Sequence, residues 1–147
     1  MIIRKATLED LDFIMSEVAD DMFARQGDLD LRDNEYMSTK LIPFVITEGV
    51  CLIAEKDGEL VGSIAGLVVP TLYNPNKTNL AEIWWWVKEK HRSGSVGAKL
   101  LFMFEIEAEE KEVDYITMSI LPTTQLNTEA FAKRGYEVKE YAYGRKM

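Results

Sequence analysis

The sequence WWWVKEKHRSGSVGAKLL, from Trp84 to Leu101, joins a strand, a turn and the start of a helix. Tryptophan and valine favour β-strands, and the closing apolar run is typical of a helix. Gly94 and Gly97 lie between them among small residues. A strand that enters a helix through such a turn directs several backbone N–H groups at one point, where the helix dipole adds positive potential. The turn therefore indicates a site for a phosphate or pyrophosphate.

Basic side chains surround this turn in a chain that is acidic elsewhere. They are Lys88, Lys90, Arg92 and Lys99, while the whole chain has a formal net charge of −8. That charge argues against nucleic acid as a partner, since phosphate backbones require a basic face. A Walker loop is excluded because no G-x-x-x-x-G-K-[ST] occurs, and a dinucleotide fingerprint because the glycine spacing differs. We therefore expect either a local anion site of another kind or an ordinary Gly/Ser loop before a helix, with solvated lysines around it.

Length and composition limit the classes of protein to which the chain can belong. A chain of 147 residues with 47% hydrophobic content predicts one compact domain over residues 1–147. The start MIIRKATLED lacks the features of a secretory signal, and no apolar run reaches the length of a membrane span. Cys51 is the only cysteine and His91 the only histidine, so no His/Cys metal cluster can form. We expect a cytoplasmic protein without a metal and without a membrane partner.

The hydrophobic pattern predicts a mixed α/β fold in the order β-α-α-β-β-β-α-β-α-β(β). A central, mostly antiparallel sheet would carry helices on both faces. Because side chains alternate along a strand, Trp84 and Trp86 should share one face and Trp85 the other. The predicted elements are a strand at 2–6, helices at 8–22 and 35–46 (the second interrupted by Pro43), a hairpin of strands at 50–56 and 59–69 ended by Pro70, a loop at 71–79, a strand at 81–87, a helix at 95–111, a strand at 113–121, a helix at 128–134 capped by Asn127, and one or two strands at 136–147.

These residues resemble a known family. Arg92-Ser93-Gly94-Ser95-Val96-Gly97 is similar to the signature Arg/Gln-x-x-Gly-x-Gly/Ala of the GCN5-related N-acetyltransferases, with Ser95 at the position of the central glycine. The helix opening AKLL and the later Lys133-Arg134-Gly135-Tyr136 also resemble that family, and the similarity in element order extends over nearly the whole chain. The resemblance implies an N-acetyltransferase that uses acetyl-CoA.

The resemblance also implies where the cofactor binds. The signature loop would hold the pyrophosphate, and the backbone at the end of the preceding strand would contact the pantetheine and the acyl group. The implied cofactor-binding residues are Trp85, Trp86, Val87, Arg92, Ser93, Gly94, Ser95, Val96, Gly97, Ala98, Lys99 and Asn127.

Candidates for proton transfer follow from the residue types near this strand. Glu82 lies among apolar residues that would raise its pKa, so it is the best general base, although it could instead point to solvent. Tyr136 is the candidate general acid, with packing as the alternative role. Phe131 stands where the family often has a tyrosine, and it cannot donate a proton. The thiolate can also leave unassisted.

The acidic segment from Asp20 to Glu35 would attract a cationic amine on a small molecule or a peptide, or would simply be a solvated loop. Two other functions stay open: a non-catalytic acyl-CoA-binding module, and a protein-interaction domain that has lost the cofactor. An apolar closing strand would also allow a homodimer.

Overall fold

A computed structural model describes residues 1–147 and shows one five-stranded sheet with helices. The helices are α1 (8–26), α2 (34–48), α3 (Val96–Glu110) and α4 (Thr128–Lys133). The strands are β1 (Ile2–Lys5), β2 (Val50–Lys56), β3 (Glu59–Thr71), β4 (Asn74–Val87) and β5 (Tyr115–Thr117). None of the helices combines the length and the apolar character needed to cross a bilayer.

The sheet has the order β1-β2-β3-β4-β5, with antiparallel pairs except for β4 and β5, which are parallel. The predicted mixed, mostly antiparallel sheet is therefore confirmed. The first helix begins as predicted, because the Thr7 side chain accepts the Glu9 N–H while the Asp10 carboxylate accepts the Thr7 N–H at 2.8 Å. This reciprocal cap satisfies donors that the first turn of a helix leaves free.

Two hydrophobic cores lie on opposite faces of the sheet. Alternate residues of β2 enter different cores, with Cys51 and Ile53 beside α1 and α2, and Leu52 beside α3. The predicted placement of helices on both faces is thus correct. Trp84 and Trp86 pack in the first core, and Trp85 borders the second, as the alternation predicts.

A β-bulge interrupts this alternation within β4. Ala65 pairs with Trp84 and Gly66 with Glu82, which leaves Ile83 as an extra residue on β4. As a result Leu80 packs in the core beside α3, whereas Trp84 packs in the core beside α1 and α2. Bulges redirect side chains in this way, and this one directly follows Glu82.

The predicted loop at 71–79 is wrong. β3 continues to Thr71 and β4 begins at Asn74, so most of this segment forms a long hairpin, and Pro70 lies within β3, paired with Thr78, rather than at its end. A proline can occupy a strand where its missing N–H needs no partner. The predicted interruption of α2 at Pro43 is also wrong, because a π turn at Met37–Leu41 comes just before the proline and the helix continues to Glu48.

The predicted closing strands at 136–147 are absent, and the preceding strand is limited to Tyr115–Thr117. Val138, Tyr141 and Tyr143 are exposed, because the chain after α4 runs along no strand edge. Alternation predicts a strand only where a partner edge is available. The expected homodimer rested on this strand and loses that basis.

Candidate cofactor site and catalytic cleft

The sheet opens between its last two strands. β5 pairs with β4 only through Asn79–Ala81, and the residues after Thr117 form no strand. From Glu82 to Val87, β4 therefore has β3 along one edge and no strand along the other. Backbone groups on this open edge can contact a ligand that enters the gap.

The open edge leads to the start of α3. β4 ends at Val87, a 3₁₀ turn follows at Glu89–His91, and α3 begins at Val96. Five backbone N–H groups in this turn have no acceptor within the chain: those of Ser93, Ser95, Val96, Gly97 and Ala98. Free donors at a helix start, together with the helix dipole, form an anion site. The turn singled out from the sequence has the donors that a pyrophosphate needs.

Ser95 occupies the N-cap position of α3 but its side chain makes no capping hydrogen bond. Serine is among the preferred N-cap residues, but the backbone of Ser95 (φ −95°, ψ 0°) lies outside the extended region usual for that role. The hydroxyl and the backbone N–H of Ser95 are both left available.

The two glycines of the turn are not required by the packing of the protein. A Cβ on Gly97 would lie 3.6 Å from Val87 and 3.7 Å from Trp85, and one on Gly94 would lie 3.5 Å from the His91 carbonyl oxygen. These are ordinary van der Waals distances, and neither glycine has a positive φ. Space for an approaching ligand remains the predicted reason for glycine at both positions.

Most of the basic side chains around the turn are paired with carboxylates. Lys88 contacts Glu17 at 2.8 Å and Glu59 at 2.9 Å, and Lys90 contacts Glu59 at 3.0 Å. Hydrogen bonds from these two lysines lower the pKa of Glu59 to about 2. Lys99 is exposed and makes no ion pair. The local excess of positive charge expected from the sequence is therefore largely neutralised.

Arg92 bridges two parts of the fold. Its Nε donates to the Val87 carbonyl oxygen at 2.7 Å, and one terminal nitrogen donates to Asp21 Oδ2 at 2.7 Å. Trp86 Nε1 donates to the same carboxylate oxygen, also at 2.7 Å. The guanidinium thus joins the end of β4 to α1.

Glu82 extends its carboxylate across the gap between the strands. Its Oε2 accepts the N–H of Ser119 at 3.0 Å, in the segment that follows β5. Burial raises the pKa of Glu82 to about 7, although the Ser119 hydrogen bond acts in the opposite direction. A carboxylate with this pKa can accept a proton at neutral pH.

The Tyr136 hydroxyl faces α3. It donates to Glu105 Oε2 at 2.9 Å, and burial, together with this carboxylate, raises the pKa of Tyr136 well above its ordinary value. The ring stacks on Phe131, which in turn stacks on Trp85, with centroid separations of 4.2 and 6.1 Å. The hydrogen bond of the Tyr136 hydroxyl is thus made to Glu105, and that of the Glu82 carboxylate to Ser119, so the two predicted catalytic groups are not hydrogen-bonded to each other.

Trp85 and Asn127, two further predicted cofactor contacts, each make a hydrogen bond within the protein. Trp85 Nε1 donates to the Gly97 carbonyl oxygen at 3.1 Å, which ties α3 to β4 beside the turn. Asn127 Oδ1 accepts the Ala130 N–H at 2.9 Å and caps α4, as its sequence position indicates.

Two grooves lined by carboxylates lie beside helix α1. One, of about 500 Å³, lies between α1 and α2, and its lining includes Asp12, Asp20 and Glu35. A second, of about 280 Å³, lies between α1 and the end of β4, and its lining includes Glu17 and Asp21 together with their ion-pair partners Lys88 and Arg92. The sequence pattern identified the acidic segment that begins at Asp20 but missed the acidic residues earlier in α1. These residues could have been found, because they lie on the helix face opposite the apolar stripe.

Comparisons with known proteins bear on the family and on the fold. The model of the acetyltransferase (GNAT) family matches residues 11–136. A ribosomal-protein-alanine N-acetyltransferase from Brucella melitensis biovar Abortus 2308 is similar in structure, with a TM-score of 0.71, 15% identity and 100% of both chains covered. A transcriptional regulator from Bacillus halodurans C-125 superposes with a TM-score of 0.78, at 16% identity and 99% coverage of both chains.

A predicted acetyltransferase with acetyl-CoA from Clostridium acetobutylicum gives a TM-score of 0.71 at 16% identity, over 99% of this chain and 95% of the other. At such identities the three structures establish the fold alone. No curated protein matches the chain in sequence.

Proposed function

The chain belongs to the acetyltransferase (GNAT) family, and on that premise we propose that it transfers the acetyl group of acetyl-CoA directly to a primary amine of a cationic acceptor. The observation that carries this proposal is the row of free N–H groups where the open edge of β4 meets α3. An acyl-CoA needs an anion site for its pyrophosphate and an adjacent edge for its pantetheine, and the two features are continuous here.

The cofactor contacts follow from this placement. The N–H groups of Ser95 through Ala98 would hold the pyrophosphate, with Lys99 as the free cation beside them. The backbone of Trp85, Trp86 and Val87 would contact the pantetheine and polarise the thioester carbonyl. Because the Val87 carbonyl already accepts Arg92 Nε, the side chain of Arg92 supports the strand end rather than standing free.

Glu82 would act as the general base. Its carboxylate takes a proton from the acceptor ammonium, and the neutral nitrogen then attacks the thioester carbon. A C–N bond forms and the C–S bond breaks. The attacking nitrogen gives up its second proton to solvent to become the amide, and the departing thiolate takes a proton from solvent. The raised pKa of Glu82, about 7, matches the first of these steps.

The acceptor would be a small molecule or a peptide that carries more than one positive charge. The carboxylates of Asp12, Asp20 and Glu35 line the larger groove, and Arg32 is the only basic residue there. Since Arg32 already pairs with Asp20 at 2.6 Å, the groove keeps an excess of negative charge. Such a surface favours a polyamine, an amino sugar or a basic peptide over an anionic acceptor.

Calorimetric titration of acetyl-CoA into the purified protein tests the cofactor site. Ser95→Pro removes one free N–H at an exposed position after a glycine, while the matched Ser95→Ala removes only the hydroxyl. We expect the wild type and Ser95→Ala to bind acetyl-CoA with micromolar affinity. Ser95→Pro should bind at least tenfold more weakly, which corresponds to a loss of roughly 1.4 kcal/mol or more in binding free energy. No wild-type binding at millimolar ligand would overturn the proposal.

A non-catalytic acyl-CoA-binding module is the second candidate. Two observations favour it: Phe131 cannot donate a proton, and the Tyr136 hydroxyl is committed to Glu105. Thiol release measured over a panel of polyamines, amino sugars and basic peptides separates the two functions. Binding of acetyl-CoA without acceptor-dependent thiol release would favour the module.

A further inference from the structure

Asp21 contacts two residues of the candidate site from the opposite face of the sheet. It lies on α1, which packs in the core that faces away from α3. Its Oδ2 accepts hydrogen bonds from Trp86 Nε1 and from Arg92, each at 2.7 Å. Arg25 Nε lies 3.4 Å from the same oxygen and forms an ion pair with it, without donating a hydrogen bond. One carboxylate oxygen therefore connects α1 to a strand and to the turn that follows it.

Arg92 links Asp21 to the start of the turn. Because its Nε also donates to the Val87 carbonyl oxygen, the guanidinium is fixed at two points. Glu17, one helical turn before Asp21, pairs with Lys88 at 2.8 Å. Residues four apart share a helix face, so the two carboxylates form a pair of anchors for residues 88–92. The turn is held from α1, whereas its free N–H groups belong to the start of α3.

We propose that Asp21 is a positioning residue, which acts through Arg92 to hold the turn in the conformation that receives the pyrophosphate. This inference rests on the proposed function. In this role Asp21 acts on the turn through Arg92 and needs no contact of its own with the cofactor. Its carboxylate neutralises Arg92 and fixes where the chain enters α3, and preorganised donors bind a ligand more tightly than mobile ones.

The sign of one substitution separates positioning from simple electrostatics. Acetyl-CoA carries several negative charges, so removing a nearby carboxylate would tighten its binding if charge alone mattered. If Asp21 positions the turn, the same substitution weakens binding, because the free N–H groups lose their fixed arrangement. Asp21→Asn is nearly isosteric and keeps one oxygen as an acceptor, so the fold is retained while the charge-assisted bonds are lost.

The experiment is calorimetric titration of acetyl-CoA into the wild type, Asp21→Asn and Glu9→Gln. Glu9 is the control, since it is an exposed carboxylate on the same helix that lines neither groove and makes no ion pair. We expect the Kd to rise roughly five- to tenfold for Asp21→Asn, the effect of one weakened charged hydrogen bond. The Glu9→Gln protein should stay within about twofold of the wild type, because an exposed charge without a partner contributes little.

Two further readouts identify the route. In an Arg92→Gln background, Asp21→Asn should change the Kd by less than about twofold, because the partner is already absent. The indole N–H resonance of Trp86, assigned with Trp86→Phe, should shift in Asp21→Asn, while a melting curve shows whether the fold is intact. A purely structural role would lower the melting temperature and leave the Kd of the folded protein unchanged.

Tighter or unchanged binding by Asp21→Asn, with micromolar binding by the wild type, overturns this inference and leaves the proposed function standing. An equal effect of Asp21→Asn in both backgrounds also overturns it, since Arg92 would then not be the route. Failure of the wild type to bind acetyl-CoA overturns the proposed function, and this inference with it.

Discussion

Replacing Glu82 by glutamine should have opposite effects on catalysis and on stability. Glutamine keeps the shape of the side chain and an oxygen that can accept the Ser119 N–H. It cannot accept a proton from an ammonium group. Removal of a general base typically lowers a rate by about 10²–10⁴-fold, so we expect kcat to fall roughly 100-fold or more. Because burial raises the pKa of Glu82 to about 7, the wild-type kcat/KM should fall as the pH drops below that value and the carboxylate becomes protonated.

The stability effect follows from the same pKa. Because the folded pKa of Glu82 is raised from 4.5 to about 7, the folded state holds this proton more tightly than the unfolded chain. Stability from this group is therefore fully present below about pH 4.5 and is lost as pH rises to about 7. The shift corresponds to about 3 kcal/mol at pH 8, at about 1.4 kcal/mol per pH unit. Glu82→Gln avoids this cost and should melt about 6–12 °C above the wild type at pH 8.

Thiol-release kinetics with an active acceptor and urea unfolding at pH 5 and pH 8 measure both effects. The stability gain of Glu82→Gln should shrink to less than about 1 kcal/mol at pH 5, where the wild-type carboxyl is largely protonated in the folded chain. Glu109→Gln is the control, since Glu109 is exposed on α3 and makes no ion pair. A Glu82→Gln protein with the wild-type rate and pH profile, or with lower stability at pH 8, would refute the reasoning.

Three other substitutions test separate parts of the structure. Ala98→Glu places a carboxylate in the exposed first turn of α3, so it should stabilise the helix by about 0.5 kcal/mol and weaken acetyl-CoA binding, whereas Ala98→Gln should leave calorimetric affinity nearly unchanged. Tyr136→Phe removes the hydrogen bond to Glu105, so we expect a lower melting temperature and a kcat within about threefold of the wild type. A larger loss of kcat would indicate that Tyr136 is the general acid after all. Phe104→Ala empties a fully buried site in the core beside α3 and should cost about 3–5 kcal/mol in urea unfolding, and a loss below about 1 kcal/mol would contradict the described packing.

The sequence predicted those parts of the fold that depend on local pattern. The strand-turn-helix segment, the cap at Asn127 and the division of the tryptophans between two faces follow from residue type and from spacing of two or of three to four residues. The family model and the related structures confirm the family and the fold that these features indicated.

The missed features depend on tertiary context. Whether Val138 and Tyr141 lie in a strand depends on a free sheet edge, which no local pattern reveals, and Pro70 stays in β3 because its neighbours are paired. The ion pairs of Lys88 join it to residues far away in the chain, so the neutralised charge around the turn was not visible. The bulge at Ile83 follows from the register of two strands rather than from either sequence alone.

The long hairpin of β3 and β4 has a consequence for how the molecule opens. Val61 to Gly66 are buried, whereas Val68 and Val69 of β3 and residues 74–77 of β4 are exposed and lie outside both cores. Hydrogen exchange should therefore be graded along a single strand, fast near Thr71 and slow near Ile64. The outer ladder can fray on its own while the inner ladder, which carries the site, exchanges only when the whole chain unfolds.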